Sequence, residues 1–333
     1  MQMKKESSKI KILILGYSYI AQKSVIKAIE KNAQFIIVGI ASKSKHDKIP
    51  EQYVSYNSYE NAIKKSKCDV VYISLPNNLH YEWIMKSLEN NKHIICDKPA
   101  VLNAKQALMC YKKANRRLLL FESIAYPYHE QHKILKKEVE KEKFPVQKIT
   151  AHFGFPPLDK NNFRNFARFG GGCLYDIGPY IISVGKLHFN KNASKIYCNA
   201  HTAKGYDVPT SASVMIHYGK NEILQAHFGF QLEYRNSLNL WGNGFNYSMD
   251  RAFAIPSDFS NTIIYKSKDK TKNILIHPCD HFSEMLAYFS RLLKGKSKKD
   301  FNKIFLEQAI QLEHMVKSSK TKKIQDIDYS EAK

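Results

Sequence analysis

Short apolar runs rich in β-branched residues alternate with longer helical patterns along the first third of the chain. The apolar runs are nearly continuous, which is typical of strands buried on both faces of a parallel sheet. Helical patterns fill the intervals, so consecutive runs and the helix between them form βαβ units. We predict strands at 10–15, 35–41, 69–75, 93–96 and 118–121, and helices at 20–31, 58–66, 79–90 and 103–114. The sequence therefore predicts an α/β domain with a doubly wound parallel sheet, over residues 1–122.

The pattern changes beyond residue 122, where several strand-like runs follow one another without helices between them. We predict strands at 146–154, 194–203, 211–217, 223–230 and 237–242, and helices at 130–141, 173–189, 282–293 and 303–317. Strands in succession favour antiparallel pairing. Residues 123–333 are therefore expected to form an α+β domain with a large, mostly antiparallel open sheet.

Length and composition agree with two globular domains. The chain has 333 residues, of which 44% are hydrophobic and 25% charged, with 14 Gly and 11 Pro. These values lie close to the averages for globular proteins and far from those of disordered, collagen-like or coiled-coil chains.

The formal net charge of +22 is the one unusual quantity in the composition. Only seven of the 52 basic residues are Arg, and the rest are Lys spread along the chain. Base recognition and bidentate phosphate binding favour Arg, whereas scattered Lys is typical of a solvated surface. We therefore expect no nucleic-acid partner, and we predict that the densest Lys run, at 294–303, is a loop.

The cysteines and the apolar segments argue against metal sites and membrane segments. The six Cys are scattered and no two have a Cys-x-x-Cys spacing, so neither a metal site nor a redox pair is predicted. The first apolar run, 10–15, is too short for a signal peptide, and no run approaches the roughly 18 apolar residues of a membrane span. We expect a cytoplasmic protein with no membrane partner.

A glycine turn follows the first predicted strand. Its residues match the dinucleotide fingerprint G-x-G-x-x-G/A with Ser in the place of the second Gly, and they are Gly16, Tyr17, Ser18, Tyr19, Ile20 and Ala21. Such a turn leads into a helix N-terminus that binds a pyrophosphate, and the hydroxyl of Ser18 is a candidate donor to that phosphate. The context predicts a Rossmann dinucleotide site, although an ordinary strand-to-helix turn remains the alternative.

The end of the second predicted strand bears on the choice of dinucleotide. NAD enzymes usually have Asp or Glu there, which binds the ribose 2′-hydroxyl. Here the chain has Ser42 and Lys43, a hydroxyl and an ammonium that suit a 2′-phosphate. NADP is therefore favoured over NAD, and the alternative is an exposed Lys in a Lys-rich chain.

Further candidate cofactor-site residues lie at the ends of the third and fourth predicted strands. They are Leu75, Pro76, Asn77 and His80 at the end of the third strand, and Asp97, Lys98 and Pro99 at the end of the fourth. Ligands of open α/β sheets bind at the carboxyl ends of the strands, and the bond before Pro99 is a candidate cis peptide. Taken alone, the second group is equally compatible with a plain turn, and His80 with a capping or packing role.

A glycine-rich segment, 170–180, carries the last candidate group. It places Asp176 and Tyr180 four residues apart, on one face of the predicted helix. A phenol can donate a proton to a developing alkoxide, and a nearby ammonium such as Lys98 would lower its pKa. The alternative is a buried Tyr whose hydroxyl is bonded internally.

In their order along the chain, these segments resemble the motifs of the Gfo/Idh/MocA family of nicotinamide-dependent oxidoreductases, which includes glucose-fructose oxidoreductase and inositol dehydrogenase. The family motifs are the GxGxxA turn, T-P-N-x-x-H, E-K-P, G-G-G-x-L-x-D-x-G-x-H/Y and, in one branch, R-A-F-x-x-P. They correspond to residues 16–21, 75–80, 97–99, 170–180 and 251–256. Tyr at the last position of the fourth motif and the fifth motif itself resemble the branch of dihydrodiol and xylose dehydrogenases and nucleotide-sugar ketoreductases.

The resemblance implies roles for the candidate residues. Lys98 would bind substrate and cofactor, Tyr180 would transfer the proton and Asp176 would orient the substrate. Asp97 would steady the strand end, while Asn77 and His80 would line the nicotinamide site. The family also implies a homo-oligomer, a dimer or a tetramer, that pairs through the open sheet.

Three departures from the family motifs are visible: Ser18 for Gly, Asp97 for Glu, and residues 125–130 in place of M-x-R-x-H-P. The third lies near the expected substrate pocket, so specificity is expected to differ.

The leading hypothesis is an NADP-dependent oxidoreductase of a sugar or nucleotide-sugar, such as a ketoreductase of surface-polysaccharide synthesis, that needs no metal. A dehydrogenase of a free sugar, inositol or dihydrodiol and a non-catalytic dinucleotide sensor are the alternatives.

Overall fold

The computed structural model describes residues 9–295 and 300–332 and confirms the predicted fold class. Six parallel strands form the first sheet in the order β3-β2-β1-β4-β5-β6. Its strands are β1 (Ile10–Leu15), β2 (Phe35–Ala41), β3 (Ser55–Tyr56), β4 (Val70–Ile73), β5 (His93–Asp97) and β6 (Leu120–Ser123). The helices between them are α1 (Ile26–Lys31), α2 (Tyr59–Lys65), α3 (Asn77–Glu89) and α4 (Ala104–Ala114).

Burial and capping explain these elements. The last four residues of β1 have no exposed surface, as expected for a strand covered by helices on both faces. Ser58 and Asn103 cap α2 and α4 by accepting hydrogen bonds from the backbone N–H groups of Asn61 and Gln106. A short π-helical turn, Ala21–Val25, precedes α1.

Nine strands form the second sheet in the order β14-β13-β12-β11-β7-β10-β9-β8-β15. They are β7 (Val146–Phe155), β8 (Lys195–His201), β9 (Ser211–His217), β10 (Ile223–Phe230), β11 (Arg235–Gly242), β12 (Phe245–Asp250), β13 (Asn261–Lys266), β14 (Thr271–Ile276) and β15 (Gln325–Asp326). The pairing is antiparallel except between β7 and β10. Buried and partly exposed residues alternate along most strands, so one face of the sheet carries the core. The strands β3 and β12–β15 were not predicted from the sequence.

The helices of the second half are α5 (Glu130–Val139), α6 (Cys173–Asp176), α7 (Gly178–Phe189), α8 (His281–Leu293) and α9 (Phe301–Thr321). The prediction of one helix over 173–189 is wrong, because the helix is interrupted at Ile177. Pro179 explains the break: a proline at this point of a continuous helix would lack an N–H and would clash with the preceding turn. It is tolerated in the first turn of α7 instead.

The last two helices pack back onto the first sheet. Met285 and Phe289 of α8 lie in the core on one face of that sheet, and Leu306 of α9 lies in the core on the other. Further along α9, Leu312 and Met315 belong to the core of the second sheet. The domain boundary at residues 122 and 123 stays a prediction. Residues 296–299 of the predicted Lys-rich loop lie outside the described residues, and among the described helices none has the length and apolarity of a membrane span.

Candidate active site

The glycine turn lies where the strand order of the first sheet reverses, between β1 and β4. Gly16 has a φ of +99°, and a Cβ on it would lie 2.1 Å from the carbonyl oxygen of Ser74. Only glycine therefore allows this close approach of the two strand ends. The chain then enters a helical segment at Tyr19 and Ile20, with Ala21 fully buried. A tight turn that leads into a helix at a switch point of a parallel sheet fits a dinucleotide pyrophosphate.

The hydroxyl of Ser18 is hydrogen-bonded within the protein. Its Oγ accepts a hydrogen bond from the N–H of Ala21 at 3.1 Å and lies 2.7 Å from the Oγ of Ser74. Ser74 donates its own hydrogen to Oδ2 of Asp97 at 2.5 Å. The hydrogen between the two serines must then come from Ser18. In this structure the Ser18 hydrogen thus goes to Ser74, and the expectation that this hydroxyl donates to a phosphate stays a prediction.

Ser42 and Lys43 follow β2, next to the glycine turn. Ser42 is buried, and its Oγ accepts a hydrogen bond from the N–H of Lys45 at 3.0 Å. The ammonium of Lys43 lies 5.3 Å from the ring centre of Tyr59 and 5.8 Å from that of Trp83. These rings hold the positive charge of Lys43 at the strand end where a ribose phosphate is expected.

The residues after β4 hold backbone segments together. Asn77 is buried, and its Nδ2 donates to the carbonyl of Gly170 at 2.8 Å, which ties α3 to the glycine-rich segment. Leu75 is buried, and Pro76 immediately precedes α3. Asn77 thus joins the two halves of the chain at the site.

His80 is fully buried, and its two ring nitrogens lie 2.8 Å and 2.7 Å from the carbonyl oxygens of Pro99 and Leu75. Burial lowers the pKa of His80, and in the neutral ring one nitrogen donates at a time. Both ring nitrogens thus face backbone that ends two adjacent strands, and the expectation that His80 lines the nicotinamide site stays a prediction.

Asp97, at the end of β5, accepts hydrogen bonds from two neutral hydroxyls. Tyr72 donates to its Oδ1 at 2.6 Å and Ser74 to its Oδ2 at 2.5 Å. The Tyr72 hydroxyl lies 3.1 Å from the Oγ of Ser123 on β6. The carboxylate thereby joins three neighbouring strands. The next peptide bond, between Lys98 and Pro99, is cis.

Lys98 extends from the end of β5 to Asp176, the last residue of α6. Its ammonium donates to Oδ1 of Asp176 at 2.6 Å and to the backbone carbonyl of the same residue. It also lies 5.0 Å from the ring centre of Tyr180. The structure therefore brings the three predicted catalytic residues together, although Asp176 and Tyr180 belong to two helices rather than to one helical face.

Arg164 was missed by sequence reasoning. Its Nε donates to Oδ1 of Asp176 at 2.8 Å, the oxygen that Lys98 also reaches. Burial alone would raise the pKa of Asp176, but the charges of Arg164 and Lys98 outweigh burial and hold this pKa well below its usual range. A signal was present in the sequence: Arg164 is one of seven Arg in a Lys-rich chain and lies six residues before the glycine-rich segment.

The phenol of Tyr180 lies among aromatic rings. The ring centres of Phe153, Tyr126 and Phe253 lie 5.5, 5.8 and 6.1 Å from that of Tyr180. Burial, followed by the charge of Asp176, raises the pKa of Tyr180 above its ordinary value of 10.0. In the protein without ligands this pKa is therefore raised rather than lowered, and an effect of Lys98 on it stays a prediction.

Across the described ranges, no group of three or more His, Cys, Asp or Glu has an arrangement that could hold a metal ion. The site residues are a cation pair, a carboxylate and a phenol, which can bind an oxygen atom and move a proton. Together with the dinucleotide turn, this arrangement suits transfer of a hydride to or from a carbon that bears oxygen.

Comparisons with known proteins agree with this chemistry. The model of the oxidoreductase family with an NAD-binding Rossmann fold, Gfo/Idh/MocA, matches residues 10–122, and the model of the Gfo/Idh/MocA C-terminal domain matches residues 145–245. The chain is 26% identical over 297 residues to dTDP-3,4-didehydro-2,6-dideoxy-α-D-glucose 3-reductase of Saccharopolyspora spinosa, covering 87% of this chain and 90% of the relative. It is 22% identical over 288 residues to D-xylose 1-dehydrogenase (NADP⁺) 2 of Haloferax volcanii, covering 84% and 88%.

A solved structure shares the whole fold. It is a 3-ketoreductase from Actinomadura kijaniata in complex with NADP and TDP-benzene, with a TM-score of 0.88 at 23% identity, covering 93% of this chain and 98% of that chain. With both halves of the chain matched by models of one family, this protein belongs to the Gfo/Idh/MocA family of oxidoreductases.

Proposed function

We propose that this protein is an NADP-dependent ketoreductase that acts on a sugar linked to a nucleotide. The observation that carries the proposal is the contact of Lys98 with Asp176 beside Tyr180, next to a dinucleotide turn. The similarity to reductases of dTDP-linked ketosugars supports the substrate class. NADP in the related 3-ketoreductase structure and the position of Lys43 support the cofactor.

Each side chain of the site has a separate role in the proposed reaction. A bound nicotinamide supplies or accepts the hydride. Tyr180 donates its hydroxyl proton to the carbonyl oxygen of the sugar as that oxygen gains negative charge. The Lys98 ammonium, held by Asp176, polarises the same oxygen. Oδ2 of Asp176, which receives neither the Lys98 nor the Arg164 bond, is the atom proposed to orient a sugar hydroxyl.

Replacing Lys98 and Tyr180 tests this assignment. Lys98→Ala is expected to abolish turnover while NADPH binding, followed by nicotinamide fluorescence, stays largely intact. Tyr180→Phe is expected to lower kcat by about 10²-fold or more, because it removes the proton donor. The substrates would be dTDP-linked ketosugars together with NADPH. Wild-type rates in both variants would refute the mechanism.

The choice of NADP is tested by fluorescence titration of both reduced dinucleotides. Lys43 offers its ammonium to the 2′-phosphate, so NADPH is expected to bind at least tenfold more tightly than NADH. Lys43→Ala should reduce that ratio, whereas Lys143→Ala, which removes the same charge beside the exposed ring of Phe144 in the second half of the chain, serves as the matched control. Tighter binding of NADH in the wild-type protein would contradict the assignment.

Oxidation of a free sugar is the second candidate function, and similarity to a D-xylose 1-dehydrogenase favours it. Parallel assays with free aldoses plus NADP⁺ and with nucleotide-linked ketosugars plus NADPH separate the two. A non-catalytic sensor is disfavoured because Lys98, Asp176 and Tyr180 are all present and in contact. A role in surface-polysaccharide synthesis, a cytoplasmic location and the lack of a nucleic-acid partner stay predictions.

Assembly into a homo-oligomer through the second sheet is part of the proposal. The face of this sheet opposite the core carries a shallow groove of about 600 Å³ lined by Thr150, His152, Ser237, Asn239 and Trp241, among others. Trp241 is 50% exposed there. An exposed indole in a groove supports pairing with a second copy. Light scattering after size exclusion would test this, with Trp241→Lys expected to shift the mass towards the monomer.

A further inference from the structure

Arg164 shares one oxygen of Asp176 with Lys98, although the two cations come from different parts of the chain. Lys98 directly follows β5 of the first sheet, whereas Arg164 lies in a short 3₁₀ turn, Phe163–Asn165, that follows β7. Their donor atoms lie 2.6 and 2.8 Å from Oδ1. The Asp176 side chain is 10% exposed, and those of Lys98 and Arg164 are 14% and 33% exposed. This carboxylate is therefore fixed by two positive charges in a largely enclosed site.

The glycine-rich segment is shaped around the backbone of Arg164. The N–H of Gly172 donates to the carbonyl oxygen of Arg164 at 2.8 Å. A Cβ on Gly171 would lie 2.4 Å from the same oxygen. Because any side chain at position 171 would push Arg164 away, the glycine sets the position of this arginine relative to Asp176.

The charges of this cluster do not cancel. Lys98 and Arg164 each contribute one positive charge, and Asp176 contributes one negative charge, so these three groups sum to +1 near the phenol of Tyr180 and oppose the negative charge of Asp97. With Lys98 alone, the pair would be neutral. A net positive charge favours the phenolate, the form that Tyr180 takes after it gives its proton to a substrate.

We propose that Arg164 is a positioning residue of the reaction, which fixes Asp176 and supplies the positive charge that makes proton transfer by Tyr180 reversible. This inference rests on the proposed function because it concerns the proton donor of that site. In the reductive direction, the O–H bond of Tyr180 breaks and an O–H bond forms on the sugar. The oxidative direction reverses both changes, so Tyr180 must first lose its proton.

Other charged groups face Tyr180 as well. The carboxyl groups of Asp97 and Glu122 raise its pKa, as does Asp176, whereas Arg164 lowers it. Glu122 is partly buried, and desolvation raises its own pKa to about 7, while its Oε1 accepts a hydrogen bond from the N–H of Ala100 at 3.0 Å. Titration of Glu122 near neutral pH is a second source of pH dependence, and Glu122→Gln removes it from the comparison.

The pH profile of sugar oxidation tests the proposal. In Arg164→Gln, the rise of kcat with pH should move up by roughly one pH unit, and kcat at neutral pH should fall about tenfold. Arg164→Lys keeps the charge and should keep the rise close to its wild-type position. Arg168→Gln is the matched control, because that guanidinium lies between the rings of Phe166 and Phe169, 4.7 and 4.8 Å from their centres.

A second measurement needs no sugar. Trace acetylation of Lys98 as a function of pH, followed by mass spectrometry of its peptide, gives the pKa of this amine. Burial and then the nearby charges set that pKa, which lies below the ordinary value of 10.5, and Arg164 contributes to the lowering. Arg164→Gln should therefore raise the pKa of Lys98, and Arg168→Gln should leave it unchanged.

If the wild-type enzyme turns over a sugar, Arg164→Gln must shift both the pH profile of kcat and the pKa of Lys98. The absence of either shift overturns the proposal. If the wild-type protein turns over neither free nor nucleotide-linked sugars, the proposed function fails, and the Lys98 titration alone then decides the role of Arg164. Circular dichroism and thermal unfolding identify a variant that has lost its fold. If Arg164→Gln has lost its fold, Arg164→Lys replaces it in the titration. In that variant, a Lys98 pKa equal to the wild-type value supports the proposal, and a raised Lys98 pKa overturns it.

Discussion

Two aspartates belong to the site, Asp97 at the end of β5 and Asp176 at the end of α6, and their partners differ in kind. Asp97 accepts hydrogen bonds from the neutral hydroxyls of Tyr72 and Ser74. Asp176 accepts from the cations Lys98 and Arg164. The same side chain is thus bound by dipoles at one position and by charges at the other.

The origin of the partners explains the difference. Tyr72 lies on β4 and Ser74 just beyond its end, so the Asp97 contacts keep the ends of adjacent strands of one sheet in register. The partners of Asp176, Lys98 and Arg164, come from the two halves of the chain, so its contacts join these halves and place charge between them. Hydroxyl partners fix the geometry of a carboxylate with little effect on the charge of the site. Cationic partners fix its geometry and also change the charge of the site.

The largest expected effect is that of Asp176→Asn. The substitution leaves Lys98 and Arg164 facing each other across a neutral amide, so the free energy of unfolding should fall by about 3 kcal/mol. Denaturant titration measures the loss. Asp97→Asn is the matched change, and because it removes bonds to neutral donors, it should cost about 1 kcal/mol. Equal losses in the two variants would show that the kind of partner does not matter.

The pH dependence of stability sharpens the same contrast. Arg164 and Lys98 outweigh the effect of burial and depress the pKa of Asp176 in the folded protein below its ordinary value of 3.8. A depressed carboxyl pKa contributes stability that is present above pH 3.8 and is lost as the pH falls through the folded-state value. The difference in unfolding free energy between the wild-type protein and Asp176→Asn should therefore narrow below pH 3.8. A constant difference down to pH 2 would contradict the depressed pKa.

Much of the Asp97 side of the site was predictable from the sequence. Continuous apolar strands separated by helices predict which segments end at the same edge of the sheet, so Gly16, Asp97 and Lys98 were expected to meet. The hydroxyl partners of Asp97 were not expected. Tyr72 lies inside an apolar run, where its ring is predicted to belong to the core, and nothing in the local pattern shows where its hydroxyl points.

The Asp176 side was harder to predict. The spacing of Asp176 and Tyr180 suggested a common helical face, but Pro179 breaks the helix between them. The tertiary fold brings both residues to Lys98 from two separate helices. Arg164 lies in a loop without periodicity, so its contact depends on the folded backbone around Gly171 rather than on sequence spacing. Long-range charge pairs of this kind need the three-dimensional structure.

The smallest expected effect comes from Ser18→Ala, at the far end of the hydroxyl chain that leads to Asp97. The variant loses the bonds to Ser74 and to the N–H of Ala21, so the unfolding free energy should fall by about 1 kcal/mol. The Ser18 hydrogen already goes to Ser74, and the affinity for NADPH, measured by fluorescence titration, should therefore change less than threefold. A tenfold loss of NADPH affinity at unchanged stability would mean that the hydroxyl binds phosphate, and the Asp97 side would then take part in cofactor binding as well as in geometry.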